Sequence, residues 1–173
     1  TPPVNHAPTV TATALQQVSD EQLNVSFRQA SIYDLPFESS SFDAAFAHGL
    51  LSHLADPMRG LSEIRRVLKP GAIAGVRDAD WSGALAYPSD PVIDAGIAYL
   101  RQMVRSSGGD PDIGRRLGSM LRDSGFTKVR MTASYEVYDP AFLIGYFQRL
   151  ATDHIFPEEP FVAQPWCEAV ATN

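Results

Sequence analysis

Residues 42–76 read FDAAFAHGLLSHLADPMRGLSEIRRVLKPGAIAGV, and this stretch decides the fold class. Phe42 to Ala47 is nearly all apolar, as expected of a strand covered on both faces. Asp56-Pro57 then opens a helix, because aspartate caps a helix start and proline suits its first turn. Met58, Leu61, Ile64, Val67 and Leu68 recur at three- and four-residue steps and form one apolar stripe. Lys69-Pro70-Gly71 ends that helix, and Ala72 to Val76 forms a second buried strand. Strand, helix, strand in this order predicts an α/β sheet with parallel core strands and right-handed crossovers. Ligands in such sheets sit beyond the carboxyl ends of the strands. Those ends are Ala47-His48-Gly49 and Arg77-Asp78-Ala79-Asp80.

Outward from this unit the pattern continues. Val25 to Gln29 alternates apolar and polar residues and reads as a short strand ending at Ala30-Ser31-Ile32. Residues 78–91 form a long connection, and a helix follows from about Val92 to Arg105. Ile113, Leu117, Met120 and Leu121 mark another helix, closed by Gly125. Val129 to Tyr135 alternates as a half-exposed strand, Pro140 to Thr152 reads as helical, and a last strand lies near Trp166 to Val170, after Pro165. Residues 1–12 read as a disordered leader. Residues 13–173 read as a single domain with a substrate-covering insertion at about 80–110.

Composition narrows the function. The 173 residues are 45% hydrophobic and carry a net charge of -6 without a basic cluster, which argues against nucleic-acid wrapping. The apolar runs are short of a membrane span, and no signal-peptide pattern opens the sequence, so a cytoplasmic protein is expected. One cysteine, Cys167, excludes an internal disulfide or a cysteine-rich zinc site. His48 and His53 lack a third ligand at suitable spacing, so no metal is expected. Arg65 and Arg66 fall opposite the apolar stripe and read as a solvated face. Nothing in the sequence fixes an oligomeric state.

The block from Val25 to Gly71 resembles one family. Its quoted parts are Ala30-Ser31-Ile32-Tyr33-Asp34-Leu35-Pro36-Phe37, Phe42-Asp43, His48 to His53, Asp56-Pro57 and Arg66-Val67-Leu68-Lys69-Pro70-Gly71. In order and spacing they are similar to the second half of a class I S-adenosylmethionine (SAM)-dependent methyltransferase of the ubiquinone and menaquinone branch. Gly114-Arg115-Arg116-Leu117 and Asp123-Ser124-Gly125-Phe126 are similar to that branch as well. The resemblance implies a Rossmann-like, mostly parallel sheet with helices on both faces. It also implies SAM as methyl donor, S-adenosylhomocysteine as product and a small organic methyl acceptor.

Carried onto this chain, the resemblance places the donor near Ser31, Ile32, Ala47, His48, Gly49 and His53. Ser31 stands where the family usually has an aspartate. Beyond the second strand, Trp81 offers an aromatic wall for the acceptor. His48 and Asp80 are the candidate bases, and a base is needed only if the acceptor must lose a proton.

The sequence also departs from the family. The glycine-rich first motif is absent, as is the acidic residue that ends the second strand and holds the ribose. Two strand-and-helix units should precede Val25, and each βαβ unit takes roughly 30 residues. Only 24 residues are available. Either a stretch near Val10 to Thr13 is omitted from the sequence, or the cofactor half is lost and the protein is a non-catalytic binding or assembly module. An intact mass several kDa above 18.9 kDa marks the first, and 18.9 kDa itself marks the second or a proteolytic fragment.

Overall fold

The computed structural model describes residues 24–139, 144 and 160–173. The expected leader and most of the expected helix at Pro140 to Thr152 lie outside them. Five strands form one sheet: β1 (Phe42–His48), β2 (Leu68–Ala79), β3 (Leu85–Tyr87), β4 (Thr127–Val137) and β5 (Phe161–Thr172). β1 and β2 pair in parallel, and β5 runs antiparallel to β2, β3 and β4. The first four strands therefore point one way and β5 alone runs against them. Among the described residues three helices connect these strands: α1 (Pro57–Val67), α2 (Pro91–Ser106) and α3 (Leu117–Asp123).

The central strand, helix and strand form where the sequence places them, but β1 is largely exposed and not covered on both faces as expected. Asp56 caps α1 by accepting the Arg59 amide at 3.0 Å, with Pro57 in the first turn. The helix buries Leu61, Ile64 and Val67 and leaves its charged residues outward. Leu61 and Ile64 join Ala47, Ala74 and Val76 from the sheet and Leu117, Met120 and Leu121 from the later helix in one continuous core. Lys69-Pro70-Gly71 does end the helix, but the chain passes at once into β2. Pairing shifts from Phe42 with Leu68 to Ala44 with Ile73, so the stop sequence becomes a bulge at the start of the strand. Gly71 takes φ +81 there.

Two expectations need correction. Val25 to Gln29 forms no strand, and Val25 and Phe27 stay about half exposed. A short alternating segment gains strand energy only when a neighbour supplies the ladder, and among the described residues none does. The last strand is longer than read and includes Pro165. Proline lacks an amide hydrogen and argues against a central strand. Here it falls where β5 exchanges one neighbour for another: residues 166–172 pair with β2, and residues 161–163 pair with β3.

The described helices α1 and α3 cover one face of the sheet. On the other face, Phe46 is 71% exposed, with Ile73 and Val170 also exposed. Phe46 pairs with Gly75, and its ring fills the space above that glycine: a Cβ on Gly75 would lie 2.9 Å from Phe46 Cδ2. Burial sets the expected energetics. Leu61, 0% exposed, should lose about 2–5 kcal/mol on replacement by alanine. Phe46→Ala should cost less than about 1 kcal/mol. Urea unfolding of both variants checks this, and equal losses would mean that α1 does not carry the core.

Candidate functional site

The carboxyl ends of β1 and β2 lie side by side, because the two strands are parallel and in register to His48 and Arg77. Gly49 extends the ladder by one bond, donating to Arg77 O at 2.9 Å, then leaves the sheet at φ +58. That conformation suits glycine, and the space around the position is open: a Cβ there would meet nothing within 4 Å. A 3-10 turn follows at Leu51–His53, anchored by fully buried Leu51.

Asp78 holds this turn against the second strand. Its side chain is fully buried, and Oδ2 accepts the Ser52 amide at 3.1 Å while Oδ1 accepts the Ala79 amide at 3.0 Å. On the other side, Ser52 O accepts the Asp110 amide at 2.9 Å. Gly109 makes that approach possible, since a Cβ there would collide with the Ser52 carbonyl. Of the residues read from sequence, Ala47 is buried in the core, while His48 and His53 are exposed on this edge.

Ser31 and Ile32 begin a tight turn in which Ser31 O accepts the Asp34 amide at 3.1 Å and Ser31 Oγ accepts the Tyr33 amide at 3.2 Å. The turn docks on the start of α1. Tyr33 Oη accepts the Asp56 amide at 3.1 Å, and the Arg59 guanidinium lies 5.0 Å from the Tyr33 ring centre. Ile32 and Leu54 both reach toward Gly60, which brings the Ser31 turn beside the turn that carries His53. Arg66 is not simply solvated, as its place on the polar face suggested. It donates to Leu35 O at 2.9 Å and Phe37 O at 2.8 Å, so it straps the loop after the turn to α1. Its 2.7 Å ion pair with Glu63, together with the Leu35 amide, holds the Glu63 carboxyl below its usual range.

Asp80 is placed differently from a proton acceptor. Its carboxylate is 4% exposed and is gripped by Arg115: Nε donates to Oδ2 at 2.6 Å and Nη2 to Oδ1 at 2.8 Å. The Arg115 amide adds a bond of 3.0 Å and Ser82 Oγ one of 2.6 Å. Burial alone would raise this carboxyl, but the Arg115 and Ser82 hydrogen bonds outweigh it and lower it from the usual 3.8. A carboxylate so engaged is a poor base, and the expected catalytic role of Asp80 gives way to an ion pair that fixes the chain after β2. Trp81 stacks nearly parallel on Tyr138 at 6.5 Å between ring centres.

Sequence reasoning missed the cluster around Arg77. This guanidinium lies 3.1 Å from His48, 3.2 Å from Glu168 and 4.4 Å from the Trp166 ring centre. Ser134 and Thr132 donate to Glu168 at 3.0 Å each, and with Arg77 they hold its carboxyl below the usual range. Trp166 Nε1 is buried with no hydrogen-bond partner among the described residues. No single-strand pattern reveals such a group, because its members meet only through the β1–β2–β5–β4 register.

Comparison with known proteins agrees with this architecture. A family model described as a methyltransferase domain matches residues 3–75. An uncharacterized methyltransferase of Schizosaccharomyces pombe is 34% identical over 111 residues, covering 64% of this chain and 40% of the yeast protein. The 2-phytyl-1,4-naphtoquinone methyltransferase of Trichormus variabilis is 43% identical over 68 residues, covering 39% of this chain and 30% of that protein. Phosphoethanolamine N-methyltransferase 2 of Haemonchus contortus, solved with SAM, superposes with a TM-score of 0.56 at 18% identity. That match covers 94% of this chain and 40% of the nematode chain. Residues 3–75 thus match a methyltransferase domain, and the fold is that of SAM-dependent methyltransferases of known structure. It spans two fifths or less of the length of these three proteins.

The acid limb of stability reports on the Asp80–Arg115 pair. Asp80 takes up its proton near 3.8 when unfolded and only at lower pH when native. Its contribution is therefore complete above that value and is lost as pH falls through the native one. In thermal melts from pH 6 downward, Asp80→Asn should lower stability at neutral pH and flatten the acid-side loss. An acid limb unchanged in slope would mean that the Arg115 pair does not govern it.

Proposed function

We propose that this chain serves SAM-dependent methyl transfer to a small, largely apolar acceptor at the carboxyl edge of β1 and β2. The observation that carries the reading is the open turn at Gly49, set beside the Ser31 turn on the same edge, in a chain whose residues 3–75 match a methyltransferase domain. SAM supplies an electrophilic methyl on a sulfonium. The task of the protein is to align donor and acceptor and to exclude water.

In this reading the exposed Ser31 hydroxyl and the Ile32 backbone take the adenine side of the donor. Ala47, His48 and Gly49 border its methionine part, and His53 caps the same edge. The described residues fit these two flanks of SAM, and the carboxylates at the end of β2, Asp78 and Asp80, are engaged by backbone amides and by Arg115 and are not offered to its ribose. Trp81 forms an acceptor wall with Tyr138 behind it. α2 covers that side and buries only Ile93 and Gly96, leaving Tyr99 and Met103 about half exposed. Such a helix offers an apolar surface to an acceptor.

A second reading has its own support. In it the chain is a non-catalytic methyltransferase-like binding or assembly module, and the carboxylates at the end of β2 serve the protein itself, Asp78 by accepting two backbone amides and Asp80 by pairing with Arg115. Titration calorimetry with S-adenosylhomocysteine separates the two. The enzyme reading expects binding, tightened on the order of fivefold by Ser31→Asp, the gain of about one hydrogen bond to the adenine amino group. Absence of binding by the folded chain, with no gain in Ser31→Asp, favours the module.

A further inference from the structure

Arg77 and His48 face each other at the last rung of the β1–β2 ladder. Arg77 Nη1 is 3.1 Å from His48 Nε2. A guanidinium carries five N–H donors and no acceptor, so the hydrogen bond has one possible direction. Arg77 donates, and Nε2 must present its lone pair. The ring proton of His48 then sits on Nδ1, since the bond made by one imidazole nitrogen sets the state of the other.

Arg77 is not free to turn away. Its Nε donates to Glu168 Oε1 at 3.2 Å, Glu136 lies 3.9 Å away, and its flat face packs on the Trp166 ring at 4.4 Å. Glu168 is fixed in turn by the Ser134 and Thr132 hydroxyls on β4. The His48 ring meets the same Trp166 edge-on, with centres 4.9 Å apart. β2 and β5 thus each set a side chain against the imidazole, Arg77 and Trp166, and β4 holds Arg77 in place through Glu168.

We propose that Arg77 is a positioning residue that fixes His48 as a neutral ring with its proton on Nδ1. His48 then offers the strand edge a hydrogen-bond donor and not a base. The complementary ligand atom is an oxygen acceptor, such as a carboxylate or a carbonyl. A methyl acceptor served at this edge brings a nucleophile that is already deprotonated, or one that transfers its proton elsewhere. The functional part of this inference rests on the reading of the edge as the reaction site; the tautomer does not.

Long-range proton–nitrogen NMR on the full chain with labelled histidine tests it at neutral pH, with the His48 signals assigned by their loss in His48→Gln. The expected pattern is a protonated Nδ1 and an unprotonated Nε2. Arg77→Lys, which keeps a donor, should retain the pattern, and Arg77→Met should move the proton toward Nε2. A proton on Nε2, or on both nitrogens, in the unsubstituted chain overturns the proposal even if no variant folds. An unchanged tautomer in folded Arg77→Met overturns it equally. Calorimetry with S-adenosylhomocysteine on the same samples keeps the two readings apart. Binding without the expected tautomer sinks this proposal alone, and the tautomer without binding sinks the functional reading alone.

Discussion

The carboxylate of Asp78 is the junction on which the site depends. Two parallel strands deliver their ends side by side, but nothing in a ladder fixes the path of the chain beyond it. Asp78 does so from the interior, accepting the Ser52 amide across the gap between β2 and the turn after β1. A buried carboxylate is costly unless its oxygens are satisfied, and two backbone amides supply that satisfaction. The Ser52 carbonyl is taken up in turn by Asp110. The segment after α2 is thereby drawn against the same turn. Gly114 extends the contact, since a Cβ there would lie 2.9 Å from the Ala79 carbonyl. The edge is therefore assembled from backbone groups, with one carboxylate as its common acceptor.

Arginines brace what surrounds it. Arg66 reaches the loop behind the Ser31 turn, Arg115 closes on Asp80, and Arg77 joins β1, β2 and β5. Ion pairs at a surface contribute little, typically below about 1 kcal/mol, and most of these guanidinium groups are partly exposed. Their weight lies in where the other partner sits. Asp80 is buried, so removing Arg115 would leave a carboxylate out of water with fewer partners. Lys69 with Asp43 is the opposite case: both side chains are open to solvent, and the 2.7 Å pair adds little to either strand.

Much of this was legible in residues 42–76. Apolar continuity marked β1, the capping pair Asp56-Pro57 marked the helix start, and the stripe from Leu61 to Val67 marked its buried face. These are local signals, and the parallel pairing follows from their order. The misreadings share a different cause. Val25 to Gln29 carries a strand pattern, yet a pattern is realised only beside a partner. Pro165 is barred from a two-sided strand unless the ladder is interrupted there, and only the neighbour exchange along β5 reveals the interruption. Asp80 looked available because its captor lies 35 positions away. The motif Gly114-Arg115-Arg116-Leu117 was visible, but its spacing carries no hint that Arg115 turns back to β2.

The attachment of α2 has a consequence for motion. Its sixteen residues are fastened near their two ends: Asp90 caps the start beside buried Ile93, and Arg101 and Arg105 bind Asp112 near the finish. Between these points little of the helix is buried. Regions with few buried contacts open at low free energy, while strands such as β2, paired on both sides, open only with the whole domain. The amides of α2 therefore belong to an early-exchanging unit, distinct from the late-exchanging sheet. The surface that borders the edge can loosen and re-form while the carboxyl ends of β1 and β2 keep their places.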